Sequence, residues 1–224
     1  MSLLPDLSRR RLEPEVMDDP ALDPASHRQA LAGLSTVNWF SNSAGIVWSQ
    51  IGQMGSRRHT LRVLDIASSG GDVAVGLWRR AARAGFRLEV LGLERSPLAL
   101  AVARERAKST DGQVEFRHAD VLTDPLPTGF QVVTCSLFLH HLDEASAITL
   151  LRKLAAAAEL LVVNDLHRSR SGYLLAQAAC RLLTRSAVVH LDGPASIAAA
   201  FTVPEAAALC QAAGKRLACF DSPE

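Results

Sequence analysis

The chain has 224 residues, of which 48% are apolar and 21% charged, with 24 Lys and Arg against 23 Asp and Glu. That length and apolar share suit one globular α/β domain with a full core and exclude a disordered chain. The near-neutral balance excludes a general electrostatic pull toward nucleic acid or an anionic membrane, and no apolar run reaches the roughly 18–20 residues of an integral membrane segment.

Four cysteines (Cys135, Cys180, Cys210 and Cys219) make no CxxC pair and no metal spacing. They read as small core residues of a cytoplasmic protein in a reducing compartment. The N-terminus, M-S-L-L-P-D-L-S-R-R-R, lacks the apolar centre of a signal peptide. Residues 1 to about 25 carry Pro5, Pro14, Pro20 and Pro24 among charges and read as an extended lead-in. Ser26 and Gln29 form a capping-box pattern, so a helix is expected to begin there. A second helix is expected from about Ser41 to Met54. Residues 1–58 thus form an N-terminal extension with cap helices, serving as a cover for the sheet or as a lid. Residues 59–224 form one unit after it.

That unit opens with Leu61 to Asp72, L-R-V-L-D-I-A-S-S-G-G-D, an apolar run ending in small residues and two glycines. A helical pattern follows at once through Val73, Val75, Leu77 and Trp78. Strand, tight turn and helix make the entrance to a βαβ unit, whose turn lets a ligand approach the backbone. The second strand, R-L-E-V-L-G-L-E, ends at Glu94, and Ser96-Pro97 starts the next helix. Asp111-Gly112 turns into the third strand, V-E-F-R-H, which leads to Ala119-Asp120. The fourth strand, F-Q-V-V-T-C-S, runs into L-F-L-H-H-L, and Asp143 reads as the cap of a further helix. The fifth strand is E-L-L-V-V-N-D. Strands and helices alternating in this way predict an α/β fold with a doubly wound, mostly parallel Rossmann-like sheet. An Ala/Leu-rich helix around Tyr173–Leu183, a loop with Gly193 and Pro194, a helix from about Pro204 to Ala213 and a last strand at Arg216–Phe220 complete the chain. The expectation is that either a C-terminal strand hairpin is incomplete or the sequence is cut short within it.

In such sheets ligands sit outside the carboxyl ends of the strands, where the strand order reverses. Asp65 and the small-residue loop end the first strand. Glu94 ends the second, in a place suited to accepting hydrogen bonds from two ribose hydroxyls. Asp120 follows the third and offers acceptor oxygens to an exocyclic amine. Ser136, Leu137 and Phe138 form a shelf after the fourth. Taken singly, each acidic residue is an ordinary cap or loop end; in this order on successive strands they describe a cofactor cleft.

Over residues 60–170 the chain resembles the class I S-adenosylmethionine-dependent methyltransferases. V-L-D-I-A-S-S-G-G-D matches their first motif, with Asp65 in its acidic position and Gly71 at its third glycine. F-Q-V-V-T-C-S-L-F-L-H-H-L is similar to the strand-4 signature of the quinone-biosynthesis group. The resemblance implies S-adenosyl-L-methionine as cofactor and S-adenosyl-L-homocysteine as product. It places Ala67, Ser69 and Gly71 at the methionine end, Glu94 and its neighbour Arg95 at the ribose, Asp120 and Val121 at the adenine, and Ser136 and Leu137 at the end of strand 4. His140 matches, better than His141, the place of a catalytic histidine in plant phenolic O-methyltransferases; the alternative is a structural His-His pair. The implied partner is a small-molecule acceptor that is apolar or aromatic, such as a quinol, phenol or polyketide-like ring.

Two features depart from the family. Ala67 and Ser69 stand where it carries its first two glycines, and each resists positive φ. The chain also ends after a single late strand. The substituted glycines keep a second reading open, that of a catalytically silent S-adenosyl-ligand- or partner-binding protein on the same fold. A nicotinamide enzyme is disfavoured because no G-x-G-x-x-G follows the first strand. No metal is expected, since Thr134, Cys135 and Ser136 offer no carboxylate and Asn164 with Asp165 half-builds an oxygen site. His167, Arg168, His190, Asp192 and Ser196 are read as loop residues near the acceptor or in solvent. The Tyr173–Leu183 helix packs in the core, covers an apolar acceptor or touches a membrane surface.

Overall fold

The computed structural model describes residues 5–54 and 59–214. The strand expected at Arg216–Phe220, with Cys219, lies outside the described residues. The chain forms two compact units, each drawn from separate stretches of the sequence. One comprises Asn38–Ser136 and Arg152–Asn164; the other comprises Met1–Val37, Leu137–Leu151 and Asp165–Glu224.

The first of these holds the sheet. Its strands are β1 (Leu61–Ile66), β2 (Leu88–Glu94), β3 (Val114–His118), β4 (Val132–Ser136) and β5 (Leu160–Asn164), all parallel, in the order β3-β2-β1-β4-β5. Alternation along the strands assigns the faces. Leu61 and Val63, Leu88 and Val90, Val114 and Phe116, with Val132 and Val162, share one buried core with the helices α2 (Ser43–Ile51), α3 (Asp72–Arg83) and α4 (Pro97–Ala107). The parallel register sets Asp65 beside Gly92 on one side and Thr134 on the other. The strand order reverses between β1 and β4, which defines the ligand crevice of a doubly wound sheet.

Local signals set the helix starts. The Ser96 hydroxyl accepts from Ala99 N–H at 3.3 Å with Pro97 at the first helical position of α4. Asp111 and Gly112, at φ 50° and 78°, make the turn into β3.

The second unit is mainly helical. It contains most of α1 (Pro24–Phe40), the start of α5 (Glu144–Ala157), α6 (Arg170–Leu183), α7 (Ala187–Ala199) and α8 (Val203–Ala212), with single 3-10 turns at Val16–Asp18 and Leu139–His141. Asp143 caps α5 through Ser146 N–H at 2.8 Å, as its sequence suggests. Helix α1 starts two residues earlier than the Ser26–Gln29 pattern implies, because Asp23 accepts from Ser26 N–H at 2.9 Å and Pro24 takes the first position. The Gly193-Pro194 stretch is helix, not loop. Pro194 lies inside α7, and Gly193 packs where any Cβ would overlap the Cys180 sulfur of α6. Close packing of α6 and α7 thus overrides a local break signal. Thr202 and Glu205 cap α8 with a reciprocal box. Among the described residues no single helix is long and apolar enough to cross a membrane; α7 and α8 pass that test only as a pair bent by 64°.

Candidate functional site

The turn from β1 into α3 is left-handed at alternate residues: Ala67 at φ 52°, Ser69 at 49° and Gly71 at 74°. Those are the three positions at which the sequence motif is read. The two non-glycine residues adopt the backbone that their Cβ atoms resist, at about 1–2 kcal/mol each. Gly71 has a second reason to be glycine, because a Cβ there would lie 2.5 Å from the Phe116 ring and 3.0 Å from Ala103. Leu137, directly after β4, is left-handed too, at φ 55°. Strain of this kind persists where surrounding structure imposes it, and here it gathers at the carboxyl ends of two adjacent strands. Ala67→Gly and Ser69→Gly together are expected to raise stability by about 1 kcal/mol, since relief of strain outweighs the added chain entropy. A lowered melting temperature in the double variant would show that the side chains make compensating contacts.

Glu94 holds this turn in place. Its carboxylate accepts Ser69 N–H at 2.8 Å through one oxygen and Ser96 N–H at 2.6 Å through the other. Each oxygen keeps a further lone pair, so both remain able to accept from hydroxyl groups. The β3 end lies alongside, with Ala119 N–H bonded to the Glu94 carbonyl at 3.2 Å. Asp120 is half-buried, and its Oδ1 accepts Leu122 N–H at 2.9 Å. Val121 is buried, and its carbonyl accepts Lys153 Nζ at 2.8 Å. Arg95 is exposed. The Ser136 hydroxyl is buried at the end of β4 with no hydrogen-bond partner among the described residues. An orphaned polar atom at the switch point fits a polar ligand there.

Asp65 lies beneath the turn, only 2% exposed. It accepts the Thr134 hydroxyl at 2.6 Å, tying β1 to β4. Burial pushes its carboxyl up to about 6 against the opposing hydrogen bonds from Thr134 and Ser68, with Asp72 and Glu94 adding repulsion. As placed, Asp65 braces the strands and is not a surface of the cleft.

The histidines belong to the helical unit. His140 is 3% exposed. Asp165 bonds it twice, through the ring Nδ1 at 2.6 Å and the backbone N–H at 3.0 Å. Arg10 fixes the same turn by donating to the His140 and Leu142 carbonyls, both at 3.0 Å, while its guanidinium lies over Phe201. Burial alone would lower the His140 pKa, but the charge and hydrogen bond of Asp165, joined by Glu15, raise it to about 10. His140 is therefore an imidazolium here. His141 Nε2 lies 4.0 Å from Glu15 and its Nδ1 3.6 Å from Asp18.

Glu15 and Asp18 carry no signal in the sequence; they sit in the proline-rich lead-in, more than a hundred residues from their partners. The later loop residues find structural roles. Arg168 is buried, pairs with Glu205 through two bonds of 2.9 and 2.7 Å and also donates to the Leu7 and Ala200 carbonyls. Asp192 accepts from Val16 and Met17 N–H, and the Ser196 hydroxyl donates to Glu15.

A parallel sheet with a small-residue turn at its switch point, a helix directly behind and an acidic residue ending the next strand is a nucleotide-cofactor fold of the Rossmann-like type. Residues 63–159 match the methyltransferase-domain family, and the chain is similar in part to curated methyltransferases of quinone biosynthesis. A ubiquinone biosynthesis O-methyltransferase of Alkalilimnicola ehrlichii is 35% identical over 118 residues, covering 51% of this chain and 45% of its own. A demethylmenaquinone methyltransferase of Thermus thermophilus is 38% identical over 106 residues, 46% of each chain. The chain spans about half the length of these curated relatives. Among solved structures, an O-methyltransferase from neocarzinostatin biosynthesis aligns with a TM-score of 0.62 at 19% identity, over 90% of this chain and 56% of that one. The magnesium protoporphyrin IX methyltransferase of a Synechocystis aligns at 0.56 and 16% identity, over 88% and 79%. At those identities the likeness is one of fold.

Proposed function

We propose that this chain binds S-adenosyl-L-methionine along the carboxyl edge of β1, β2 and β3 and transfers its methyl group to a small apolar or aromatic acceptor of the quinol or phenol kind. One observation carries the reading. The Glu94 carboxylate both locks the left-handed turn through Ser69 and retains lone pairs for two ribose hydroxyls. The relatives named for ubiquinone and demethylmenaquinone chemistry support a quinone-type acceptor.

The cofactor would supply an activated methyl on a sulfonium. The protein's share is alignment and exclusion of water. Ala67, Ser69 and Gly71 would line the methionine end, Ser136 and Leu137 would contribute beyond β4, and Asp120 with Val121 would frame the adenine. Arg95, exposed beside Glu94, would lie at the rim.

Labelled S-adenosylmethionine incubated with quinols, phenols and polyketide-like rings is expected to give labelled product with at least one acceptor class. Ala67 and Ser69 in place of glycines favour a second reading, a silent binder of the same ligand. Saturable cofactor binding with no transfer to any ring would select it, and absence of binding would overturn both.

A further inference from the structure

Among the described residues, Glu15, His140 and His141 make a group of three whose ligand atoms lie within 4.8 Å of one another. The distances inside the group do not describe ordinary hydrogen bonds. His140 Nε2 stands 3.7 Å from one Glu15 oxygen, and His141 Nε2 stands 4.0 Å from the other. Both exceed hydrogen-bond reach. Two ligand atoms at about 2.1 Å from one zinc ion, at a tetrahedral angle, are about 3.4 Å apart. The separations here are longer, up to 4.8 Å across the group, so the side chains would have to draw together to enclose a single ion.

The groups behind the ligands fit as well. Histidines that bind a metal usually give their other nitrogen to a carboxylate, which fixes ring and tautomer. Here His140 does so, with Asp165 facing its Nδ1 at 2.6 Å, while Asp18 stands 3.6 Å from His141 Nδ1 and contributes its charge without a hydrogen bond. Asp165 is itself anchored by the N–H groups of His140 and Leu166. Three carboxylates thus surround two imidazoles. The nearby Arg10 gives its Nε and Nη2 to the Ala199, His140 and Leu142 carbonyls rather than to these carboxylates. The same three residues line a cavity of about 280 Å³ with Leu12, Pro14 and Ala195.

We propose that Glu15, His140 and His141 bind one zinc-type divalent transition-metal ion, with Asp165 and Asp18 as the carboxylates behind the histidines and an open coordination position toward the cavity. Imidazole with carboxylate selects zinc and its neighbours over magnesium or calcium, and three protein ligands leave room for a water or an anionic oxygen. In the metal-free protein the proton on His140 occupies the ion's place. The site goes beyond methyl transfer and does not depend on it.

The test uses the full chain, stripped with chelator and dialysed against Zn²⁺ alone, with metal and protein then quantified. One equivalent per chain is expected. Co²⁺ in its place is expected to give the intense visible absorption of a four- or five-coordinate ion. Glu15→Gln and His141→Asn, with folding checked by circular dichroism, are expected each to weaken zinc binding at least tenfold. A wild-type chain that takes up less than one equivalent, or shows only the weak spectrum of six-coordinate cobalt, overturns the proposal. Uptake unchanged in both variants also overturns it, since the metal would then lie on other histidines.

Discussion

Replacing His140 with alanine is expected to cost the metal-free protein about 3–5 kcal/mol and to lower its thermal midpoint by roughly 10 °C. The loss does not come from packing an imidazole. It comes from two carboxylates, Asp165 at 2.6 Å and Glu15 at 3.7 Å, that would be left without their cation. Asp165, its side chain 14% exposed, lies against the buried His140 ring and recovers only part of its hydration without local opening. His141 provides the contrast. Its side chain is 25% exposed and its contacts to Glu15 and Asp18 are long, so His141→Ala is expected to cost less than about 1 kcal/mol. Thermal melts of both variants in chelator check this. A His140→Ala loss as small as that of His141→Ala would mean that the carboxylates are already solvated. The same comparison shows why lost activity in His140→Ala would not by itself establish a chemical role.

The second large effect belongs to Asp65. Its carboxyl titrates at about 6 in the folded chain and near 4 when unfolded. Between those values the folded state holds more protons than the unfolded one, so stability falls as pH rises. The contribution is fully present below about pH 4 and lost as pH passes 6. Two units correspond to roughly 3 kcal/mol. Asp65→Asn keeps an acceptor for the Thr134 hydroxyl and removes the titration. It is expected to flatten the stability profile between pH 4 and 7 and to melt higher than the parent at pH 8. Denaturant titrations across that range read the slope directly. An unchanged slope in the variant would assign the pH dependence to another group.

Much of the sheet was legible because its signals are local. Each strand is a short apolar run closed by a polar or small residue, and the caps Ser96 and Asp143 are where their sequences put them. The parallel sense of the strands followed from their alternation with helices. Two readings failed where packing outweighed local preference. Gly193-Pro194 reads as a break but is carried through α7 by its contact with α6, and the Ser26 capping pattern lost to Asp23 and Pro24 just before it.

The turn after β1 was readable for a related reason. Ala67, Ser69 and Gly71 keep the alternating left-handed backbone even without the first two glycines, so the motif survives in conformation where it is lost in composition. The environment of His140 was not readable. Its charge state is set by Glu15 and Asp165, and no spacing rule connects residue 15 to residue 140. Asp65 was similarly opaque: the sequence marked the position, but only the register beside Thr134 shows a carboxylate turned into the core.

The most direct measurement is equilibrium binding of labelled S-adenosylmethionine to the wild-type chain and to Glu94→Ala. The wild type is expected to bind one equivalent saturably. Glu94→Ala is expected to bind about 100-fold more weakly, because it loses two charge-assisted hydrogen bonds to the ribose and the clamp on Ser69. Equal affinities in the two proteins, or no saturable binding in either, would contradict a cofactor seat at the carboxyl ends of β1 and β2.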